Sequence, residues 1–220
     1  MATIEQLQQV PFEPGVGLPE AAEVWWREPV GERRLAKIEW LSAAFTMVYV
    51  TPFLGFAVLL VVLAPVLAAV SLLCLVHAWV IPELFAHRGA RVLAPGRSED
   101  PRRGRGFLAD LLDRRPAEVE AETGVVVERG RLGVWVLADN GALLVRPGGR
   151  RVHAFCVGVK DTDLRRSERI AHLLLALRQD ETGFATVANH AFAGARWRIR
   201  RRLPAKRRPA LDEAVRLARS

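Results

Sequence analysis

A basic segment near the carboxyl end has the composition of an anion-binding surface. The stretch from Trp197 to Pro209 is rich in Arg and Lys and has no acidic residue. Guanidinium and ammonium groups attract the phosphates of lipid headgroups and of nucleic acids alike. The candidate contact residues are Arg198, Arg200, Arg201, Arg202, Lys206, Arg207 and Arg208.

The overall charge is a weaker guide to function than this segment. The chain has 32 Lys and Arg residues against 24 Asp and Glu, but only Lys37, Lys160 and Lys206 are lysine. Such an arginine bias is typical of a GC-rich bacterial genome, so the basic segment has a solvated helix face as its alternative interpretation. Nucleic acid is the least favoured partner, because aromatic residues for base stacking are sparse beside the segment.

Two pairs of residues have types that could do chemistry. His153 and Cys156 could be a base and a nucleophile, but on one strand their odd spacing would point them to opposite faces. We therefore expect Cys156 to be a small core residue. Asp161 and Asp163 could hold a metal or act on a substrate, yet an aspartate at this junction is also a typical helix cap. We interpret Asp163 as a cap.

The other histidines indicate no common site. His77 interrupts an apolar segment, and we expect it to be neutral and bonded to backbone or water. His172 and His190 fall on predicted helices without a shared spacing. No phosphate-binding loop, nucleophile elbow or zinc-protease motif occurs, and two cysteines are too few for a four-cysteine zinc site. The sequence thus predicts no metal and no cofactor, and it leaves open whether the protein is an enzyme.

An uncharged segment decides the class of protein. From Leu41 to Pro82 there is no Asp, Glu, Lys or Arg. As one helix these roughly 40 residues would extend for about 60 Å, whereas a bilayer core is ~30 Å thick and needs about 20 residues per pass. We therefore predict two transmembrane helices, at about 41–63 and 66–88, with a break near Pro65.

Basic residues flank this segment on both sides. They are Arg27, Arg33, Arg34 and Lys37 before it and His87, Arg88, Arg91 and Arg97 after it. By the positive-inside rule we expect a multi-pass protein of the cell membrane with both termini in the cytoplasm, and Trp40 and Trp79 at one interface. Two alternatives remain, a buried helical pair of a soluble protein and a wedge that enters one leaflet and returns. A cleaved signal peptide is disfavoured because the apolar run is too long.

Composition divides the chain into four parts. Residues 1–40 are predicted to be a cytoplasmic or interfacial segment whose tryptophans lie among headgroups or pack on the domain that follows. Residues 41–92 form the hairpin, and 93–106 form a Pro- and Gly-rich linker. Residues 107–220 form a cytoplasmic α+β domain with a basic C-terminal region.

Within this domain, clusters of β-branched residues between turns predict about four antiparallel strands. Asn140-Gly141 and Gly148-Gly149 are typical of turns. Helical spacing predicts two to three helices: one with Ile170, Leu173, Leu174 and Leu177, one with Phe184, Val187, Ala188, Ala191, Ala195 and Ile199 on one face, and a last one from Pro209. The predicted fold is therefore α+β with a membrane segment, a two-helix transmembrane hairpin followed by a small domain.

These features favour a non-enzymatic function. The leading hypothesis is a membrane-anchored binding or adaptor module whose domain contacts the bilayer surface, through anionic lipid headgroups, or a protein partner. The alternative is a membrane-anchored enzyme acting on a lipid-linked or phosphorylated substrate. Ala64 and Ala68, four residues apart, would also permit the close helix approach of a homo-oligomer.

Overall fold

Two long helices dominate the first half of the chain. The computed structural model describes residues 17–94, 105–159 and 164–220. In this first part a short helix α1 (Pro19–Glu23) precedes α2 (Glu32–Leu63), a single 3-10 turn (Pro65–Leu67) and α3 (Ala68–Arg91).

The two long helices break at the predicted proline. The N–H of Ala64 still donates to Leu60 O at 2.9 Å, and Pro65, which has no N–H, then begins the 3-10 turn. Pro52 and Pro82, by contrast, lie inside α2 and α3. The observed bounds differ from the predicted spans mainly at the outer ends, because both helices continue past the uncharged segment into charged sequence.

Helices α2 and α3 pack antiparallel. The rings of Phe45 and Phe85 are 5.9 Å apart, and those of Phe53 and His77 stack at 5.6 Å. This register places Trp40 about 16 Å further from the turn than Trp79, at ~1.5 Å per residue. The expectation that both tryptophans lie at one interface is therefore wrong.

Both long helices are apolar enough to cross a membrane, and neither is covered there by the rest of the described residues. Only 6% of the most apolar stretch of α2 is buried within the protein, and 22% of the corresponding stretch of α3. A helical pair inside a soluble protein would bury its apolar surface. The exposure therefore favours membrane association over the soluble alternative.

The second half of the chain is organised around one antiparallel sheet. Its strands are β1 (Val126–Arg129), β2 (Val134–Ala138), β3 (Gly141–Val145), β4 (Arg151–Cys156) and β5 (Asn189–Ala195), adjacent in chain order. Asp139 and Asn140 form the β2–β3 turn, one residue before the predicted position, since Ala138 pairs with Gly141. The β3–β4 turn uses Gly148 and Gly149 at φ values of 82° and 69°, which favour glycine.

Strand β5 is where the prediction from helical spacing is wrong. Instead of one helix over residues 184–199, the chain forms α7 (Glu181–Val187), then β5, then α8 (Arg196–Arg202). The small residues of β5 fit a helical or an extended period equally well over so short a length. Hydrogen bonding to β4, from Arg151 opposite Ala195 to Cys156 opposite Asn189, decides for the strand. The sheet thus has five strands rather than four.

Helices cover both faces of the sheet, so β2 and β3 are buried throughout. The remaining helices are α4 (Arg105–Leu111), α5 (Arg114–Thr123), α6 (Arg166–Gln179) and α9 (Arg208–Leu217), with a 3-10 turn at Ala205–Arg207. One face packs on α5, α8, α9 and the end of α3, and the other packs on the start of α2 and on α4, α6 and α7.

The sheet is held between the outer ends of the two long helices. Leu35 of α2 is buried in one core, and Ala86 and Ala90 of α3 in the other. Gly89 allows α3 to approach β5 and α8 closely, since a Cβ there would lie 2.7 Å from Cβ of Phe192 and 2.9 Å from Ile199. Full burial of one leucine such as Leu35 contributes about 1.5–3 kcal/mol. We call the space between α2 and α3 that receives the edge strand β5 the fork.

Candidate functional site

The fork encloses a cavity of about 810 Å³, here called the fork cavity. Its walls are the stretch of α2 between residues 41 and 50, the stretch of α3 between 78 and 85, strand β5, and one side chain each from β4 and α8. The sheet order makes β5 an edge strand, so the side away from β4 faces the two long helices. The volume is within the range of small-molecule sites.

The walls of the fork cavity are of two kinds. Leu41, Phe45 and Trp79 from the long helices make one side apolar, whereas Arg151, His190 and Arg198 from the domain bring charge and hydrogen-bonding groups. Glu83 also lines the cavity, but both guanidinium nitrogens Nε and Nη2 of Arg202 bond to its Oε2, at 3.1 and 2.8 Å. Arg151 and Arg198 therefore give the lining an excess of positive charge.

A hydrogen-bonded chain leads from α2 through the sheet to this cavity. Glu39 Oε1 lies 3.0 Å from Nε2 of His153, and Nδ1 of His153 lies 3.2 Å from Nε2 of His190. Arg146 Nε is a further 3.6 Å from Glu39 Oε1. His153 is fully buried on β4, and His190 lines the cavity from β5. The β4–β5 pairing is what brings the two imidazoles together.

The carboxylate of Glu39 determines the direction of this chain. An ionised carboxylate only accepts, so Nε2 of His153 donates to it and Nδ1 of His153 is left as an acceptor. His190 then donates from Nε2, which makes its own Nδ1 an acceptor. These hydrogen bonds can thus hold and orient a neutral His190 as a hydrogen-bond acceptor at the cavity.

Both imidazoles are kept neutral by their surroundings. Burial lowers the pKa of His153, against the opposing effect of its bond to Glu39. Desolvation is the main cause that lowers the pKa of His190 to about 4, and electrostatic repulsion by His153 and Arg34 adds to it. Part of this side chain nevertheless reaches solvent.

The basic segment does not form one surface. Arg200 pairs with Asp212 at 2.8 Å, and Arg202 pairs with the buried Glu83 at 2.8 Å, so these two connect α8 to α9 and to α3. Arg208 Nε donates to Leu203 O at 3.2 Å. Arg207 is only 3% exposed, and its burial lowers its pKa to about 10.

The exposed part of the basic segment gathers around one aromatic ring. Trp197 is 43% exposed, and the guanidinium carbons of Arg198 and Arg201 lie 5.1 and 5.8 Å from its ring centroid. Such cation–π contacts hold both arginines beside the indole. Lys206 is exposed on the 3-10 turn that follows α8.

A buried charge cluster lies at the β2–β3 turn. Asp139 is 1% exposed, with Arg166 Nε at 3.6 Å and Arg169 Nη2 at 3.9 Å. Arg207 is close enough for Asp139 to raise its pKa and for Arg166 to lower it. The cluster joins α6 and the α8–α9 connection to the sheet, which is a structural role.

The remaining predicted residues are dispersed. His153 and Cys156 point to opposite sides of β4 as expected, but Cys156 is exposed rather than in the core. Asp161 and Asp163 lie outside the described residues, and α6 begins after Arg165, whose N–H donates to Glu168 at 2.8 Å. His77 Nδ1 lies 2.9 Å from Leu73 O, the backbone contact expected. His172 is exposed on α6.

Sequence reasoning missed the residues that make the fork cavity polar. Glu39 and Arg151 are ordinary charged residues in the sequence, and helical spacing predicts a helix at His190, which lies on β5. The one local signal is that Glu39 is the last charged residue before the uncharged segment. In the part of the chain that the structure describes, no group of three or more His, Cys, Asp or Glu is placed to hold a metal ion.

Comparison with known proteins identifies no relative. No protein-family model matches the chain, and neither a curated protein nor a solved structure matches it. Function must therefore be argued from the geometry alone.

Proposed function

We propose that the protein is a membrane-anchored binding module in which α2 and α3 cross the bilayer and both termini are cytoplasmic. The observation that carries the proposal is the shared packing of helices and domain. Leu35, Ala86 and Ala90 lie in the cores of the sheet, while the middle parts of the same helices are apolar and exposed. A domain packed on the ends of its own anchors is held in one orientation to the bilayer.

Support for contact with the bilayer surface comes from α8. Its Arg202 pairs with Glu83, the first charged residue after the uncharged segment, so α8 lies at the height where headgroups would begin. Trp197 is exposed there with two arginines against it. Tryptophan and arginine both suit an interface, and each basic residue near anionic lipid adds about 1 kcal/mol of attraction.

The basic segment therefore divides by role in this proposal. Trp197, Arg198, Arg201 and Lys206 contact the surface. Arg200, Arg202 and Arg207 hold the fold together, because their guanidinium groups are paired or buried within the domain.

One observation favours a second candidate, an enzyme acting on a lipid-linked substrate. The Glu39–His153–His190 chain of hydrogen bonds holds one histidine ring in a fixed orientation at the cavity, as catalytic sites do. To test the enzyme candidate, the protein would be incubated in liposomes made from bacterial lipid extract. The lipids would then be analysed by mass spectrometry. A new lipid product that is absent with His190→Gln would support the enzyme. Unchanged lipids would contradict the enzyme and favour the binding module.

The two natural cysteines allow a direct test of the anchorage. In Cys74→Ala the exposed Cys156 is the single thiol. We expect a membrane-impermeant maleimide to label it in inside-out vesicles and not in sealed right-side-out vesicles. Cys156→Ala, which leaves Cys74 within the apolar helix, is the control and should resist labelling in both. Labelling of Cys156 from outside, or release of the chain by an alkaline wash, would refute the proposal.

Surface contact is tested separately by hydrogen exchange in nanodiscs. We expect the amides of α8 to exchange more slowly with anionic than with neutral lipid, and this difference to disappear in Arg198→Gln/Arg201→Gln. Arg114→Gln/Arg115→Gln removes two exposed arginines from α5 as a control. Equal exchange of α8 in both lipids would refute bilayer contact.

A further inference from the structure

We infer that the fork cavity binds one anionic phospholipid, with an acyl chain between α2 and α3 and the phosphate against Arg151 and Arg198. The inference rests on the proposed anchorage and assigns a single-molecule site, which shares Arg198 with the contact of α8 with headgroups.

The position of the cavity selects a membrane ligand. Its apolar wall is formed by α2 between residues 41 and 50 and by α3 from Ala78, on the parts of the helices nearest the domain. Phe45, Met47 and Val48 of this wall are 49%, 66% and 69% exposed, although they are large apolar side chains. In a membrane-anchored chain this wall spans the level of Glu83, where the headgroups begin, so the cavity is open to lipid rather than to water.

The charges at the other wall select an anionic headgroup. Arg151 is opposite Ala195 in the β4–β5 register, and Arg198 follows three residues later in the first turn of α8. The two residues therefore lie at the same end of the cavity lining. The carboxylate of Glu83 is already bonded to Arg202 and does not neutralise them. Paired guanidinium groups are typical partners of a phosphate.

His190 supplies a neutral polar group beside these cations. Its Nε2 is committed to His153, and its Nδ1 is an acceptor in the direction that Glu39 imposes. An acceptor here suits a headgroup with hydroxyl donors, whereas a zwitterionic headgroup would bring its ammonium group toward Arg151 and Arg198. These groups together favour a lipid such as phosphatidylglycerol over phosphatidylcholine.

The test uses the full chain in nanodiscs of equal parts phosphatidylglycerol and phosphatidylcholine, followed by native mass spectrometry after gentle delipidation. We expect one retained phosphatidylglycerol per chain. Arg151→Gln/Arg198→Gln should reduce the preference for phosphatidylglycerol by roughly tenfold to thirtyfold. Arg150→Gln, an exposed neighbour outside the cavity lining, is the matched control and should behave as wild type.

A second variant blocks the apolar part of the site without entering the protein core. Ala43 lines the cavity and is exposed, so Ala43→Phe should narrow the apolar part of the cavity and reduce the retention of either lipid. Ala69→Phe places the same side chain at an exposed position of α3 outside the lining and should have no effect. A melting temperature for each variant in the same nanodiscs shows that loss of lipid is not loss of fold.

The outcomes separate this inference from the anchorage on which it rests. A chain that passes the thiol-labelling test but retains no lipid, or retains both lipids equally, overturns the cavity assignment alone. Retention of phosphatidylglycerol that neither the arginine pair nor Ala43→Phe affects overturns it too. A retained mass that corresponds to a peptide or to a second copy of the chain, and not to a lipid, would also overturn it. Failure of the labelling test overturns both proposals.

Discussion

Glu39 and His153, 114 residues apart in sequence, are joined by a 3.0 Å hydrogen bond between the carboxylate and the imidazole. The bond connects the first long helix, at the last charged residue before its uncharged part, to the fourth strand of the sheet. It links the helix that is apolar enough to cross a membrane with the interior of the domain, and through His190 with the fork cavity.

Loss of this bond should destabilise the protein. Glu39→Leu leaves the buried Nε2 of His153 without its acceptor, which costs about 1–3 kcal/mol. Glu39→Gln keeps a carbonyl oxygen and should lose less. Unfolding in one detergent, measured by circular dichroism, compares these variants with Glu32→Leu, an exposed residue of the same helix. Equal stability of Glu39→Leu and Glu32→Leu would contradict the structural role of the bond.

The protein should become less stable as the pH is lowered from about 6.5 to about 4. The pKa of His153 is lowered in the folded state, and that of His190 is lowered to about 4 from 6.5. Over this interval the unfolded chain binds protons that the folded chain does not. The free energy of unfolding is therefore unaffected by these histidines above about pH 6.5 and decreases as the pH falls below it.

The pH effect can be assigned to these histidines by substitution. Unfolding free energies across the interval should show a shallower decline for His190→Ala than for wild type, with exposed carboxylates contributing equally to both. His172→Ala, which removes an exposed histidine of α6, should keep the wild-type slope. The same slope for His190→Ala and wild type would show that the ring does not resist protonation in the folded protein.

Two glycines of the long helices should respond oppositely to the same substitution. Gly89→Ala places a Cβ within 3 Å of Phe192 and Ile199, and overpacking of this kind costs about 1–3 kcal/mol. Gly55→Ala meets nothing within 4 Å and should be neutral or gain up to about 1 kcal/mol of helix propensity. Thermal unfolding in nanodiscs measures both. Equal shifts would indicate that the end of α3 does not pack closely on β5 and α8.

The buried aspartate at the β2–β3 turn should matter far more than an exposed one. Asp139→Asn keeps the side-chain shape but removes the anion between Arg166 and Arg169, at a cost of about 3–5 kcal/mol for a buried pair. Asp212→Asn breaks the exposed pair with Arg200 and should cost at most about 1 kcal/mol. Chemical denaturation of the two variants gives the comparison, and similar losses would argue against the buried cluster as a stabilising element.

Local sequence was sufficient for the features that depend on local physics. Absence of charge over 41–82 is a property of composition, and a proline lacks its N–H wherever it stands, so the two long helices and their break at Pro65 were predictable. The turn at Gly148 and Gly149 needed only the tolerance of glycine for positive φ. The α+β class followed from the order of strand-like and helix-like segments.

Only the tertiary structure decided the features that depend on distant partners. Residues 189–195 became a strand because β4 offers hydrogen bonds to them, which no helical or extended spacing within so short a segment reveals. The partners of the arginines were decided in the same way, since Arg202 bonds to Glu83, 119 residues away, while its neighbour Arg201 lies against Trp197. A sequence determines which charges are present, but their partners, and with them the polar wall of the fork cavity, exist only once helices and sheet have packed.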